Sequence, residues 1–321
     1  MSNYKKISER IEELKIDNPR NNNSALRWIN IVNAGKTEIN YLRKNYNFDL
    51  SHLKSTAASV LSQRPLIFKG PNYLFLILHF PAVLDGRVFS GEIDFFIGHG
   101  FLVNVHNNNL PALKKFYDTS KKDPNSLVSF STESSAVLLY EILGRLIHDC
   151  YRLLDENSLE IKHVEEMIFA GKQRMVAQNI LMLRSNIINI RKIMQNHKNI
   201  LLELSKMESS LVDRTGIKKY YSSLVDDSKR LWETLDNQKE MIEIIYETNE
   251  TLLNNRMNSI MKTLTVFSVV VLPLNLMAGI FGMNVKNMPL VGMPHSFWTI
   301  LSIMSIGMFI MLYIFYKKRW L

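Results

Sequence analysis

Cysteine is nearly absent from the 321-residue chain, where Cys150 stands alone. An intrachain disulfide is therefore excluded, as is a zinc site built on paired thiolates. Both exclusions agree with a reducing compartment, and Cys150 reads as a small buried residue. The start, Met1-Ser2-Asn3-Tyr4-Lys5-Lys6-Ile7-Ser8-Glu9-Arg10, is charged and has neither the apolar core nor the small-residue cleavage site of a secretory leader, so the first domain is expected in the cytosol. Phosphate-binding glycine loops, nucleophile elbows and histidine pairs at metal-ligand spacing are missing, and the 8 histidines are dispersed, which speaks against an enzyme. No nucleic-acid motif accompanies the formal charge of +9, so no nucleic-acid partner is expected. The undiluted basic run, Lys317-Lys318-Arg319, follows an apolar segment, as a membrane-surface anchor does.

Proline is absent between Pro124 and Pro273, and the few glycines there are Gly144, Gly171 and Gly216. Three long helices are predicted, near Thr132 to Ala170, Gln173 to Ser209 and Ile217 to Met283, with Gly144 tolerated inside the first. The third carries Ile217, Tyr220, Leu224, Leu231, Leu235, Ile242, Ile245 and Leu252 at helical spacing, a stripe that requires partner helices. At 1.5 Å per residue it would be on the order of 100 Å long, against about 30 Å for a bilayer's hydrocarbon core. Most of it should therefore form a stalk outside the membrane.

Upstream, Leu26 to Ile31, Tyr73 to Leu78, Ile93 to Ile97 and Phe101 to Val105 read as strands, the last two joined by a hairpin at Gly98-His99-Gly100. Their continuous apolar runs predict a buried sheet covered on both faces, by helices such as Thr37 to Tyr46 and Leu110 to Asp118. His79 and His106 fall in strands and read as structural residues. The expected organisation is an α/β domain with a mixed sheet over 1–130, a long-helix region over 131–260, and a two-helix membrane domain over 261–321 with a short loop at 285–296.

Charge is also missing from the two C-terminal stretches, between Lys262 and Lys286 and over Phe297 to Tyr316. Each is long enough to span a bilayer. The loop between them carries only Lys286, whereas Arg256, Lys262, Lys317, Lys318 and Arg319 flank the far sides, which predicts both termini inside and the loop outside. Trp298 and Trp320 lie near opposite ends of the second span, at expected interface positions. In the first span, Asn258, Met261, Leu264, Ser268, Leu272, Asn275 and Gly279 recur on one helical face. An amide at Asn275 facing lipid would be costly, so this face should meet protein or water. Helix packing alone also accounts for such a stripe.

The segments Met261-Lys262-Thr263-Leu264-Thr265, Leu272-Pro273-Leu274, Ala278-Gly279-Ile280-Phe281-Gly282-Met283-Asn284 and Met288-Pro289, with the ending Lys317-Lys318-Arg319-Trp320-Leu321, resemble the CorA family of magnesium transporters. The likeness is densest over residues 250 to 321 and extends to Glu92 to His106. It implies a funnel-shaped homopentamer in the inner membrane, with the first span lining a central pore and the second forming an outer ring. Gly282, Met283 and Asn284 map onto the family's outer-mouth signature. Asn258, Met261, Leu264, Leu272 and Asn275 fall where the family places rings along the pore, and Lys317, Lys318 and Arg319 would form a basic collar as well as an anchor. Mg2+ is the implied cargo, with Co2+ and Ni2+ as further passengers, and no resident cofactor is implied. Two departures stand out. The outer loop lacks the family's glutamate, since Met288-Pro289 is followed by Leu290-Val291. Ser223 stands where an ion-sensing aspartate is expected, which leaves Asp226, Asp227, Glu92 and Asp94 as candidates for a regulatory metal between subunits. A Zn2+ transporter of the same architecture and a membrane-anchored structural or sensory protein remain as alternatives.

Overall fold

The computed structural model describes residues 4–17, 25–57, 64–122, 134–170, 173–206, 217–283, 289–290 and 295–318. Two compact units result, residues 1–245 and 246–321. The first holds a seven-stranded mixed sheet in the order β1-β2-β3-β7-β6-β5-β4. Its strands are β1 (Tyr4–Lys6), β2 (Ile11–Asp17), β3 (Ala25–Val32), β4 (Leu66–Lys69), β5 (Tyr73–Leu84), β6 (Arg87–Gly98) and β7 (Phe101–His106). Every neighbouring pair is antiparallel except β3 with β7. That parallel pair joins the two antiparallel halves of the sheet.

Both faces are covered, as the unbroken apolar runs require. On one, Ile29 and Ile31 of β3, Tyr73, Phe75 and Ile77 of β5, Phe96 of β6 and Val103 and Val105 of β7 pack with Leu42, Phe48 and Leu53. Leu42 belongs to α1 (Lys36–Tyr46) and Leu53 to α2 (Leu50–Ser55). On the other face Trp28 meets Phe116 and Tyr117 of α3 (Pro111–Lys122), with ring centroids 5.3 and 4.8 Å apart.

This second face hides a polar chain. Trp28 Nε1 donates to Asn104 Oδ1 at 2.6 Å, Asn104 Nδ2 donates to Asn30 Oδ1 at 2.5 Å, and His106 Nε2 lies 2.9 Å from that same oxygen. The backbone N–H of Asn108 is 3.0 Å from His106 Nδ1. Burial lowers the His106 pKa to about 4, so the ring is neutral near pH 7, with Nδ1 accepting and Nε2 donating. Because Asn30 pairs with Asn104 across β3 and β7, the chain of bonds also fixes the register of that parallel pair.

The helices that follow are α4 (Ser135–Phe169), α5 (Gln173–Met194), α6 (His197–Lys206), α7 (Ile217–Phe281) and α8 (Ser296–Lys317). Sequence predicted one helix from Gln173 to Ser209; the structure turns at Gln195 and Asn196 and begins a new helix there. The turn admits His197, fully buried with its ring edge-on to Phe80 at 4.9 Å. The apolar stripe of the third helix also shifts. Tyr221 is buried and Tyr220 exposed, and the buried set runs Tyr221, Leu224, Ser228, Leu231, Leu235, Gln238, Ile242, Ile245, alternating three and four residues as a helix-pairing seam does. Leu252 is exposed. Polar members of the seam bond across to α4: Tyr221 donates to the Ala136 carbonyl at 2.7 Å, and Gln238 Nε2 to the Leu154 carbonyl at 2.7 Å and Ser158 Oγ at 2.8 Å.

Candidate functional site

In the second unit two helices are long and apolar enough to cross a membrane, the C-terminal part of α7 and α8. They lack the burial of a soluble protein's core helix, since no described residue of α8 is buried. An apolar surface left this open needs lipid or further protein around it.

Each helix nevertheless has one face that is less exposed. On α7, Val266 and Val270 are buried and Leu274, Met277 and Phe281 half-buried; on α8, Ile300, Met304, Gly307, Met311 and Phe315 are half-buried. Spacings of three and four residues put each set on a single face. At about 3.6 residues per turn the sequence-predicted stripe of α7 falls on the side opposite its covered set. There Asn258, Met261, Leu264, Leu272, Asn275 and Gly279 are exposed and Ser268 is half-buried. A methyl group added at Gly279 would meet nothing within 4 Å. An open depression of about 510 Å³ borders the lower part of the stripe, lined by Asn255, Asn258, Ser259, Met261, Lys262 and Thr265.

Gly282 ends α7. Its N–H reaches the Ala278 carbonyl at 2.9 Å, and a Cβ there would approach that carbonyl to 3.0 Å, closer than side chains ordinarily come. Glycine thus lets the chain leave the helix where it does. Met283 is exposed, while Asn284 lies outside the described residues, as does Arg319 at the far end. α8 opens at His295, in the left-handed conformation with φ 76°, and Phe297 and Trp298 are exposed in its first turn, with Tyr313 and Tyr316 exposed near its end. Lys317 and Lys318 follow, both exposed.

The four carboxylates singled out for a regulatory metal are not brought together. Asp226 is exposed on α7, and Asp227 is half-buried with its carbonyl accepting the Tyr151 hydroxyl at 2.7 Å. Glu92 Oε2 sits 2.9 Å from His79 Nε2. Asp94 is not on the surface of the chain: it is 2% exposed, directly across from Ile77 of the core. Alternation along β6 dictates this, because Asp94 shares a face with Phe96. Ser223, which replaces an expected ligand, turns its hydroxyl to the Tyr220 carbonyl at 2.9 Å. Among the described residues no group of three or more histidine, cysteine or acidic side chains converges as a metal site. Sequence reasoning also overlooked Ser228 and Gln238, polar residues that complete the α7 seam; the spacing of their apolar neighbours was the signal for them.

A family profile described as CorA-like Mg2+ transporter protein matches residues 23–319. The cobalt/magnesium transport protein CorA of Methanocaldococcus jannaschii is 23% identical over 97% of this chain and 96% of its own length. The protein of the same name from Thermotoga maritima is 24% identical over 94% and 86%. Among solved structures, the complete CorA magnesium transporter of M. jannaschii superposes with a TM-score of 0.81 at 22% identity, covering 92% of each chain. The fold is therefore a mixed α/β domain, a long-helix region and two apolar C-terminal helices.

Proposed function

Since the chain belongs to the CorA-like Mg2+ transporter protein family, and so transports divalent cations rather than catalysing a reaction, we propose that it conducts chiefly Mg2+ through a homopentameric pore lined by α7. The carrying observation is the two-sidedness of α7 in the second unit, with its covered face opposite the stripe that holds Asn258 and Asn275. Asn275 is exposed within an apolar helix, where lipid would leave the amide unsatisfied. A ring of five copies turned inward gives it water and ions instead.

Magnesium sheds its water reluctantly, so rings of neutral amide oxygens that contact its hydration shell suit it better than a tight cage. In this reading Gly282, Met283 and Asn284 form the outer selectivity motif. Asn258, Ser268, Asn275 and Gly279 line the path. Met261, Leu264 and Leu272 form the constriction that closes by excluding water. Co2+ and Ni2+, divalent ions of closely similar size that also carry six waters, pass as further cargo, and the membrane potential alone drives entry, at about 2.3 kcal/mol per charge for each 100 mV. The chain sits in the inner membrane with both termini cytoplasmic, and residues 1–130 and 131–260 form the cytoplasmic domain and stalk. Lys317, Lys318 and Arg319 anchor the second span and collar the inner mouth. Of the four candidate carboxylates, Asp226, exposed on α7, and Asp227 beside it are taken in this reading as those that a regulatory cation at a neighbouring subunit would use.

The test is Mg2+ influx into dye-loaded proteoliposomes under an inside-negative potential. Asn284→Ala and Asn275→Leu should each lower influx at least about tenfold relative to wild type. Absence of influx from a folded, pentameric wild-type preparation, or Zn2+ influx without Mg2+ influx, overturns the assignment.

A further inference from the structure

The β5–β6 hairpin outruns the rest of the sheet. β4 pairs with β5 only as far as Leu66 opposite Ile77, and β7 with β6 only as far as His106 opposite Ile93. Among the described residues, the two strands have no third neighbour in the sheet from His79 and Glu92 to the tip. Pro81, which can donate no ladder hydrogen bond, falls in this stretch. The support there is α5. Val88 N–H donates to Asn186 Oδ1 at 3.0 Å, the Val88 carbonyl accepts from Asn189 Nδ2 at 3.2 Å, and the Gly86 carbonyl from Asn186 Nδ2 at 2.8 Å.

A cleft of about 440 Å³ lies where this hairpin, the end of α5 and the residues before β4 meet. Its floor is His79, which is 5% exposed and bonded to Glu92. Pro65, Phe89 and Ile193 are half-buried walls, and Arg64, Ser90 and Lys192 are exposed around them. Two described lining residues are cations and none is a carboxylate. The volume is in the range of small-molecule sites and well above that of one ion. An arginine and a lysine beside a serine hydroxyl supply the charged donors that a phosphate takes. The apolar walls, one of them aromatic, supply what a planar ring takes.

We propose that this cleft binds a small organic phosphate of nucleotide type, with the phosphate held by Arg64 and Lys192 and the ring against Phe89, Pro65 and Ile193. The cleft lies within the first unit, and the proposal does not rest on the transport assignment. A soluble anion that also chelates divalent cations would there meet the domain on which the transported ion has no described site.

The experiment is equilibrium dialysis of radiolabelled AMP against the full-length protein in detergent, in Mg2+-free buffer so that metal chelation plays no part. Wild type should bind saturably, with Arg64→Ala and Lys192→Glu each weakening binding at least about tenfold. Phe89→Ala should weaken AMP binding while leaving any binding of inorganic phosphate unchanged. Because Arg64 and Lys192 are exposed, both charge variants should keep wild-type melting and wild-type Mg2+ influx, so that a failure here is distinguishable from a failure of the pore. Three results overturn the proposal: no saturable AMP binding by wild type, equal binding by both charge variants, or inorganic phosphate displacing AMP as effectively as unlabelled AMP does.

Discussion

Asp94 shows what one side chain does when pleat and polarity disagree. β6 forces it inward, where Oδ1 has no hydrogen-bond partner. Burial first, and the neighbouring charge of Glu92 second, push its carboxyl well above the usual carboxylate range. Between the unfolded pKa, about 3.9, and the raised folded value, the folded state binds more protons than the unfolded one. Stability therefore falls as pH rises through that window, the reverse of the ordinary salt-bridged carboxylate. Asp94→Asn keeps the shape and removes the titration. Its melting temperature should match wild type near about pH 4 and exceed it increasingly toward about pH 8. A difference that stays constant with pH would show that Asp94 titrates normally. The strand was legible in Ile93 to Ile97, and strict alternation from Phe96 turns Asp94 inward; its burial was not legible from residue type, because acidity ordinarily marks a surface.

Among elements, the long helices were the most legible, because the stretch that forms them is nearly free of proline and glycine, although Pro273 proves to lie inside α7. The third was predicted from Ile217 to Met283 and runs Ile217–Phe281. Less legible were elements with little apolar signal. β1 is Tyr-Lys-Lys, β4 spans four residues, and the turn at Gln195 and Asn196 has neither glycine nor proline. β2 was missed because Glu13 stands at an inward position, 4% exposed and paired with Arg27 at 2.5 Å. Gly144 offers a check on how α4 and α7 pack. It lies mid-helix, and a Cβ there would sit 3.8 Å from Leu224 Cδ2, an ordinary contact. No close approach requires glycine, so Gly144→Ala should stabilise the protein by about 0.5–1 kcal/mol, mainly by restricting the unfolded chain. Chemical denaturation monitored by helical circular dichroism measures it. A loss of stability would mean that the two helices come closer in the assembled protein than in the single chain.

For the whole molecule, the ion path was legible as a stripe but not as a pore, because a pore is made by neighbours that one chain does not contain. Asn275 could be read as misplaced in lipid from its position alone; what satisfies it belongs to the assembly. Orientation, in contrast, rests on charges within one chain, and Cys150 makes it directly testable. That thiol is 1% exposed, its Sγ donates to the Leu146 carbonyl at 3.2 Å, and burial pushes its pKa up, so it is expected to be inert toward thiol reagents in the folded protein. The wild-type chain therefore serves as a silent background. Lys286→Cys, in the loop between the spans, should react with a membrane-impermeant maleimide in intact cells. Asn237→Cys, exposed on α7 in the first unit, should react only after permeabilisation. The lysines and arginines flanking the spans pull the same way as this outcome. The opposite pattern would turn the chain over in the membrane, placing Lys317 and Lys318 at the outer surface and the α/β domain outside. The inside-negative potential would still drive the cation toward the cytosol, with the motif at Gly282 and Met283 at the inner mouth of the path instead of the outer.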